Sequence, residues 1–153
     1  MRYFIPILTL VLLFSCKSES DDLFKDYRAE NEQEIQDYIA QNNLNATRSN
    51  SGLYYVIDEP GTGDQPSFSS NVTVAYKGYL TNGSVFDQSD SSGISFDLQR
   101  VIPGWTEGIT YFKEGGSGLL LIPSHLAYGN QGIGNIPGGA VLIFEIDLIS
   151  VNQ

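Results

Sequence analysis

The chain has 153 residues, a formal net charge of −10 and one cysteine. This length accommodates one domain with an N-terminal extension and excludes two full domains. The acidic balance argues against nucleic-acid binding, which requires clustered Lys and Arg, and a single cysteine excludes an internal disulfide. Sixteen glycines, nine tyrosines and eight phenylalanines favour turn-rich β structure over a helical bundle.

The chain begins with a positive charge and an apolar run over residues 3–14 that is too short to span a bilayer comfortably. Residues 13–16 (LFSC) resemble a bacterial lipobox, in which Cys16 is acylated and becomes the mature N-terminus. The alternative is an ordinary secretory signal with an incidental cysteine. Lipidation is favoured because Cys16 stands where the apolar run gives way to a polar segment. The sequence therefore predicts a lipoprotein signal peptide over residues 1–15 and a polar tether over residues 16–22. The acyl chains would hold the protein on a membrane of the bacterial cell envelope, facing the periplasm or the surface.

A helical extension is predicted over residues 23–45. Ile35, Tyr38 and Ile39 form an apolar stripe at helical spacing, and Asn31, with an acidic residue three positions later, is typical of a capped helix start. The stripe could pack on the domain that follows or on a second copy of the helix. Packing on the domain is the preferred interpretation.

The globular domain is predicted over residues 46–153, and it begins with a polar linker over residues 46–52. Alternating apolar residues and short buried runs bounded by glycine and proline indicate an antiparallel sheet of five or six strands. Asn82-Gly83 is a strong hairpin signal between two of them. The strands are expected over residues 53–57, 72–80, 85–87, 94–98, 118–122 and 140–151.

A short helix is predicted to begin at Pro103, a residue suited to the first turn of a helix. Trp105, Ile109 and Phe112 recur at helical spacing and give this helix one apolar face. A long glycine-rich loop over residues 123–139 is expected to be functional, since such loops are uncommon in compact domains. The predicted class is α+β, with the antiparallel sheet wrapped on one short helix.

Residues suited to acid–base or nucleophilic chemistry are scarce. The one histidine, His125, stands at the mouth of the long loop and is interpreted as a solvated loop residue. No metal-ligand spacing, phosphate-binding glycine motif or nucleophile–base pair is present in the sequence, so neither a metal nor a cofactor is expected. Trp105, the only tryptophan, is either a core side chain or the floor of an open apolar pocket, and taken alone the core interpretation is favoured.

Specific motifs are spread over residues 52–151 in five segments. Together, and in this order, they resemble the FKBP-type peptidyl-prolyl cis-trans isomerases, here in a lipoprotein form. The resemblance implies the FKBP-like fold and isomerase activity on X–Pro bonds. The segments are 74–80 (VAYKGYL), 82–89 (NGSVFDQS), 101–108 (VIPGWTEG), 122–129 (IPSHLAYG), and 136–137 (IP) with 142–146 (LIFEI).

The resemblance also implies a pocket and a set of catalytic groups. The backbone N–H of Ile102 and the hydroxyl of Tyr128 would hold carbonyls that flank the proline, and Asp87 would stand at the pocket edge and orient Tyr76. Ile94 occupies a position where many members carry an aromatic residue. The residues expected to bind substrate are Tyr76, Phe86, Ile94, Phe96, Val101, Trp105, Ile136 and Phe144.

The predicted function is a peptidyl-prolyl isomerase that assists the folding of exported or envelope proteins. The alternative is an FKBP-like binding or chaperone module with little turnover, which Ile94 keeps open. A purely structural lipoprotein is disfavoured, because the pocket residues come from five separate segments. The resemblance implies proline-containing polypeptides as substrates and macrolides as inhibitors, with a membrane reached through the lipid anchor and no nucleic-acid partner.

Overall fold

The computed structural model describes residues 24–152. The predicted signal peptide, the tether and Cys16 therefore lie outside the described residues. The described chain contains two α-helices, α1 (Arg28–Asn42) and α2 (Pro103–Gly108), and seven strands. The strands are β1 (Thr47–Arg48), β2 (Tyr54–Glu59), β3 (Asn71–Leu80), β4 (Val85–Gln88), β5 (Ile94–Asp97), β6 (Ser117–Ile122) and β7 (Leu142–Asn152).

All seven strands belong to one antiparallel sheet with the order β1-β2-β6-β7-β3-β4. The outer edge of β3 is shared by two short strands: β5 pairs with residues 71–74, and β4 pairs with residues 77–79. The longest pairing joins β3 to β7, from Leu80 opposite Leu142 to Asn71 opposite Asn152. The two longest strands therefore form the centre of the sheet.

Side-chain alternation along β7 divides the core between the two faces of the sheet. Phe144 and Ile146 belong to the cluster on one face, and Ile143 belongs to the cluster on the other. Because successive side chains of a strand point to opposite faces, a central strand with both faces covered carries apolar residues at odd and even positions. The predicted α+β layout, an antiparallel sheet packed on a short helix, is confirmed.

A helix covers each face of the sheet. α2 and the 3-10 turn after it (Ile109–Tyr111) place Trp105, Ile109 and Phe112 in the larger core cluster. α1 buries Ile35 completely in the smaller cluster on the opposite face, with Tyr38 and Ile39 packed around it. The apolar stripe of the N-terminal helix therefore packs on the domain within the same chain.

Two details differ from the sequence predictions. The sheet has seven strands rather than five or six, because β1 lies in the segment expected to be a polar linker and pairs with β2. In addition, α1 begins at Arg28, so Asn31 lies inside the helix and does not cap it. The carboxamide of Asn31 is buried and binds loop backbone groups, as described below.

None of the helices between residues 24 and 152 combines the length and the hydropathy needed to cross a bilayer.

Candidate functional site

Trp105 forms the floor of an open cavity on the α2 side of the sheet. Pro103 occupies the first turn of α2, where its missing N–H costs no hydrogen bond. The next turn brings Trp105 beneath the sheet, where only 4% of its surface is exposed. Its Nε1 is buried without a hydrogen-bond partner among the described residues. The indole is thus both a core side chain and a cavity floor, and the two interpretations of the sequence hold at once.

Three aromatic rings stand edge-to-face around the indole. The ring centroids of Tyr76, Phe96 and Phe144 lie 5.1, 5.2 and 5.3 Å from that of Trp105. They come from β3, β5 and β7, so the sheet must be assembled before the rings can meet. Edge-to-face pairs at this separation stabilise each other beyond the area that they bury, which gives the cavity firm walls.

We call this cavity the cup. Its volume is about 560 Å³, within the usual range for small-ligand sites. Eight predicted site residues line it, together with Arg100 and Ala127. The eight are Tyr76, Asp87, Phe96, Val101, Ile102, Trp105, Tyr128 and Phe144.

Asp87 holds the Tyr76 side chain in place at the edge of the cup. The Tyr76 hydroxyl donates a hydrogen bond of 2.7 Å to Asp87 Oδ2. Burial raises the pKa of Tyr76 well above its ordinary value, and the bond to Asp87 raises it further. Tyr76 therefore stays protonated at neutral pH, and its hydroxyl remains committed to Asp87.

Two further groups could hold the backbone of a bound peptide. The carbonyl of Ile102 accepts the first bonds of α2, from the N–H groups of Trp105 and Thr106. Its own N–H has no acceptor among residues 24–152, so it is available to a ligand carbonyl. Tyr128 lies at the rim of the cup and is 38% exposed, so its hydroxyl can reach a ligand from the solvent side.

A smaller cavity of about 260 Å³, which we call the side groove, adjoins the cup. It shares Asp87, Tyr128 and Phe144 with the cup and also contains the predicted residues Phe86 and Ile136. The rings of Phe86 and Phe144 meet edge-to-face with their centroids 5.5 Å apart. A ligand that extends from the cup would therefore find further apolar surface beside it.

Ile94 is the one predicted substrate-binding residue that lines neither the cup nor the side groove. It is the first residue of β5, opposite Val74, and 45% of its surface is exposed. Phe96, two residues further along the strand, supplies the ring that contacts Trp105.

Sequence reasoning missed two residues of the cup. Arg100 ends the 3-10 turn that precedes Val101, and Ala127 directly precedes Tyr128. Arg100 directly precedes the motif at residues 101–108 and Ala127 lies within the motif at residues 122–129, but neither was assigned to the pocket. Arg100 and Asp87 are the charged side chains among the lining residues.

No group of three His, Cys, Asp or Glu side chains in the described part of the chain is arranged to hold a metal ion. His125 is exposed, with its Nε2 2.9 Å from the carbonyl oxygen of Ser51, and it does not line the cup.

Comparison with known proteins gives a consistent result. Residues 63–149 match the family described as FKBP-type peptidyl-prolyl cis-trans isomerase. The chain is 46% identical over 105 residues to the FKBP-type peptidyl-prolyl cis-trans isomerase FkpA of Escherichia coli strain K12, covering 67% of this chain and 39% of that protein. It is 39% identical over 128 residues to FkpA of Aeromonas hydrophila, covering 81% of this chain and 48% of that protein. The chain thus matches less than half the length of either relative.

Two solved structures share the fold. The crystal structure of FkpA from Escherichia coli superposes with a TM-score of 0.73 at 39% identity, covering 82% of this chain and 61% of that one. A peptidyl-prolyl cis-trans isomerase from Pseudomonas syringae pv. tomato superposes with a TM-score of 0.71 at 34% identity, covering 84% of this chain and 98% of that one.

Proposed function

The chain belongs to the FKBP-type peptidyl-prolyl cis-trans isomerases, and on that premise we propose that it catalyses rotation about X–Pro bonds of exported or envelope polypeptides. The observation that carries the proposal is the cup: an open apolar cavity whose floor is the indole and whose edge carries the groups that could hold a peptide backbone.

The chemistry of the reaction explains why such a site needs no acid–base pair. Resonance holds the amide planar, and rotation meets a barrier of roughly 18–20 kcal/mol. In the twisted transition state that resonance is lost, and the carbonyl becomes less dipolar than in the ground state. An apolar, dehydrated cavity therefore favours the transition state over the planar amide more than water does. An acceleration of about 10⁵-fold corresponds to about 7 kcal/mol.

Each part of the cup has a proposed role. The prolyl ring rests on Trp105 within the aromatic walls. The N–H of Ile102 and the hydroxyl of Tyr128 bind the carbonyls on either side of the twisting bond. Asp87 keeps Tyr76 oriented, which the 2.7 Å hydrogen bond between them supports. Macrolide inhibitors of the family would compete for the same cup.

A proline-peptide isomerisation assay tests the proposal on the full chain. Replacing Tyr128 by Phe removes one carbonyl-binding hydroxyl and should lower kcat/KM about tenfold, the value of one lost hydrogen bond of about 1.4 kcal/mol. Tyr79→Phe is the matched control, because Tyr79 packs with the cluster on the opposite face of the sheet, and it should leave kcat/KM unchanged. If the wild-type chain isomerised the peptide no faster than buffer does, the proposed isomerase activity would be refuted. If the peptide still bound, the binding-module alternative would replace it.

We further propose that the protein is a lipoprotein of the bacterial cell envelope, anchored through Cys16. The support is the position of Cys16 at the end of the apolar run, and the bacterial origin of the relatives. Cys16→Ala should abolish incorporation of labelled fatty acid and release the protein from the membrane fraction, whereas Ser18→Ala should do neither. Continued membrane association of the Cys16→Ala variant would reject the anchor.

A further inference from the structure

Asn31 is a polar side chain buried between α1 and the long loop after β6. Only 1% of its surface is exposed. Its Oδ1 accepts a hydrogen bond of 2.8 Å from the N–H of Ser124, and its Nδ2 donates one of 2.8 Å to the carbonyl of Gly139. Those two backbone groups lie at the beginning and the end of the loop. A single carboxamide thus joins both ends of a segment that is remote from it in sequence.

The same two residues are connected to each other through the loop itself. The N–H of Gly129 donates to the carbonyl of Ser124 at 2.8 Å, and the N–H of Gly139 donates to the carbonyl of Gly129 at 2.8 Å. The four bonds form a closed ring from Asn31 to Ser124, Gly129, Gly139 and back to Asn31. Tyr128, at the rim of the cup, directly precedes Gly129. The ring therefore fixes the backbone from which Tyr128 projects.

The residues before Asn31 support the loop from the same side. Gly139 has a φ of +75°, and a Cβ there would overlap the Tyr27 ring, so the ring packs directly on the loop backbone. The side-chain amide of Asn130 donates a hydrogen bond of 2.6 Å to the carbonyl of Lys25. The residues at the start of the N-terminal extension thus pack against the loop and bind its backbone and side chains.

The loop needs such external support. Gly129, Gly132, Gly134 and Gly139 all have positive φ, and glycine allows the backbone more conformations than any other residue. Holding this glycine-rich loop in one conformation therefore costs more conformational entropy than holding an ordinary loop. Without the Asn31 bonds, the fraction of molecules with Tyr128 at the rim of the cup should fall.

We propose that Asn31 is a positioning residue for the substrate site: through its hydrogen bonds to both ends of the loop, it holds Tyr128 at the rim of the cup. The inference rests on the proposed function, because it gives the Tyr128 hydroxyl a peptide to bind. The measurable consequence of losing Asn31 is a lower affinity for the peptide, since a site that is competent in a smaller fraction of molecules binds its ligand proportionally more weakly.

The test compares Asn31→Ala with Ile35→Val in the full chain. Ile35 lies one turn further along α1 and is fully buried against the sheet. Ile35→Val therefore destabilises the packing of the helix by about 0.5–1.5 kcal/mol while leaving the ring of hydrogen bonds intact. Affinity for a proline peptide is read from the fluorescence of Trp105, the only tryptophan. Amide hydrogen exchange is followed at Ser124, Gly129 and Gly139, and isomerase turnover is measured separately.

We expect Asn31→Ala to weaken peptide binding about tenfold and to accelerate exchange at the three loop amides about tenfold. Ile35→Val should change neither. Unchanged peptide affinity in Asn31→Ala, or an equal loss of affinity in both variants, would overturn the proposal. If Asn31→Ala does not fold, Asn31→Ser, whose hydroxyl is too short to reach both partners, is judged by the same criteria. If the wild-type chain bound the peptide without isomerising it, the proposed isomerase activity would be refuted. The role of Asn31 would still be decided, because it is judged from the peptide affinities of the variants.

Discussion

Replacing Gly78 by Ala would place a methyl group between two aromatic rings of the side groove. Gly78 lies in β3, opposite Phe144 on β7 and Asp87 on β4. A Cβ at this position would lie 2.6 Å from Cε2 of Phe86 and 2.7 Å from Cε1 of Phe144. Contacts below 3.0 Å essentially never occur for a real Cβ, so at least one ring must move by about 1 Å to restore ordinary van der Waals separation.

The structure indicates which ring can move and what the movement costs. Phe86 is the ring that can move, because it is only half-buried. Phe144, by contrast, is buried and packed against Trp105. Overpacking of this kind costs about 2 kcal/mol, which lowers the urea midpoint by about 1 M for a slope of about 2 kcal/mol per molar. A displacement of about 1 Å beside the bound peptide should also lower kcat/KM, by about tenfold or more.

Urea unfolding and a proline-peptide assay on Gly78→Ala measure these two effects. Gly83→Ala is the matched control, because Gly83 has a φ of +86° and a Cβ added to it would have no neighbouring atom within 4 Å. It should lose about 1–2 kcal/mol from backbone strain and keep its kcat/KM. If Gly78→Ala kept both its urea midpoint and its kcat/KM, the steric account of the side groove would be wrong.

Three other outcomes follow from the same geometry. Asp87→Asn should lower kcat/KM severalfold, because a neutral amide oxygen accepts a hydrogen bond from the Tyr76 hydroxyl less strongly than a carboxylate does. An unchanged kcat/KM would contradict the proposed role of Asp87 in orienting Tyr76. The raised pKa of Tyr76 predicts a pH effect: below its ordinary value of 10.0 both the folded and the unfolded chain hold the proton, and above it the unfolded chain ionises first, so stability falls as pH rises past 10. Tyr76→Phe should flatten that fall in unfolding measurements from pH 9 to 11, and an unaltered slope would contradict the assignment. Ile35→Ala should lower the free energy of unfolding in urea by about 2–5 kcal/mol, since Ile35 is fully buried on the face of α1 that packs against the sheet. A loss below about 1 kcal/mol would indicate that the packing of α1 contributes little to stability.

The regular elements were predictable because local patterns determine them. Alternation along β3 and β7 identified both central strands, and Pro103 marked the start of α2. Convergence on the cup could not be read from alternation or spacing, since Tyr76 and Phe144 belong to strands that are distant in sequence. There the family resemblance supplied the set of residues, and the structure brings eight of them together.

The failures of sequence reasoning share a physical cause. Asn31 has the residue type of a helix cap, and its actual partners, Ser124 and Gly139, are remote in sequence. A two-residue strand such as β1 is too short to carry an alternation signal and forms only because β2 offers an edge. Ile94 shares a strand with Phe96, and neither pattern nor spacing indicates that only the second residue reaches the cup.

The central β3–β7 pairing has a consequence for how the protein acquires its shape. Val74 lies opposite Leu148, so the middle of the sheet closes only when segments far apart along the polypeptide find each other. Contacts of such high sequence separation slow folding, because loop-closure entropy is lost before the pairing compensates for it. β6 likewise depends on β7 for one of its two neighbours. In a growing chain, neither β3 nor β6 could therefore pair with its central partner until β7 had been synthesised, and the Phe144 wall of the cup would be the last to arrive.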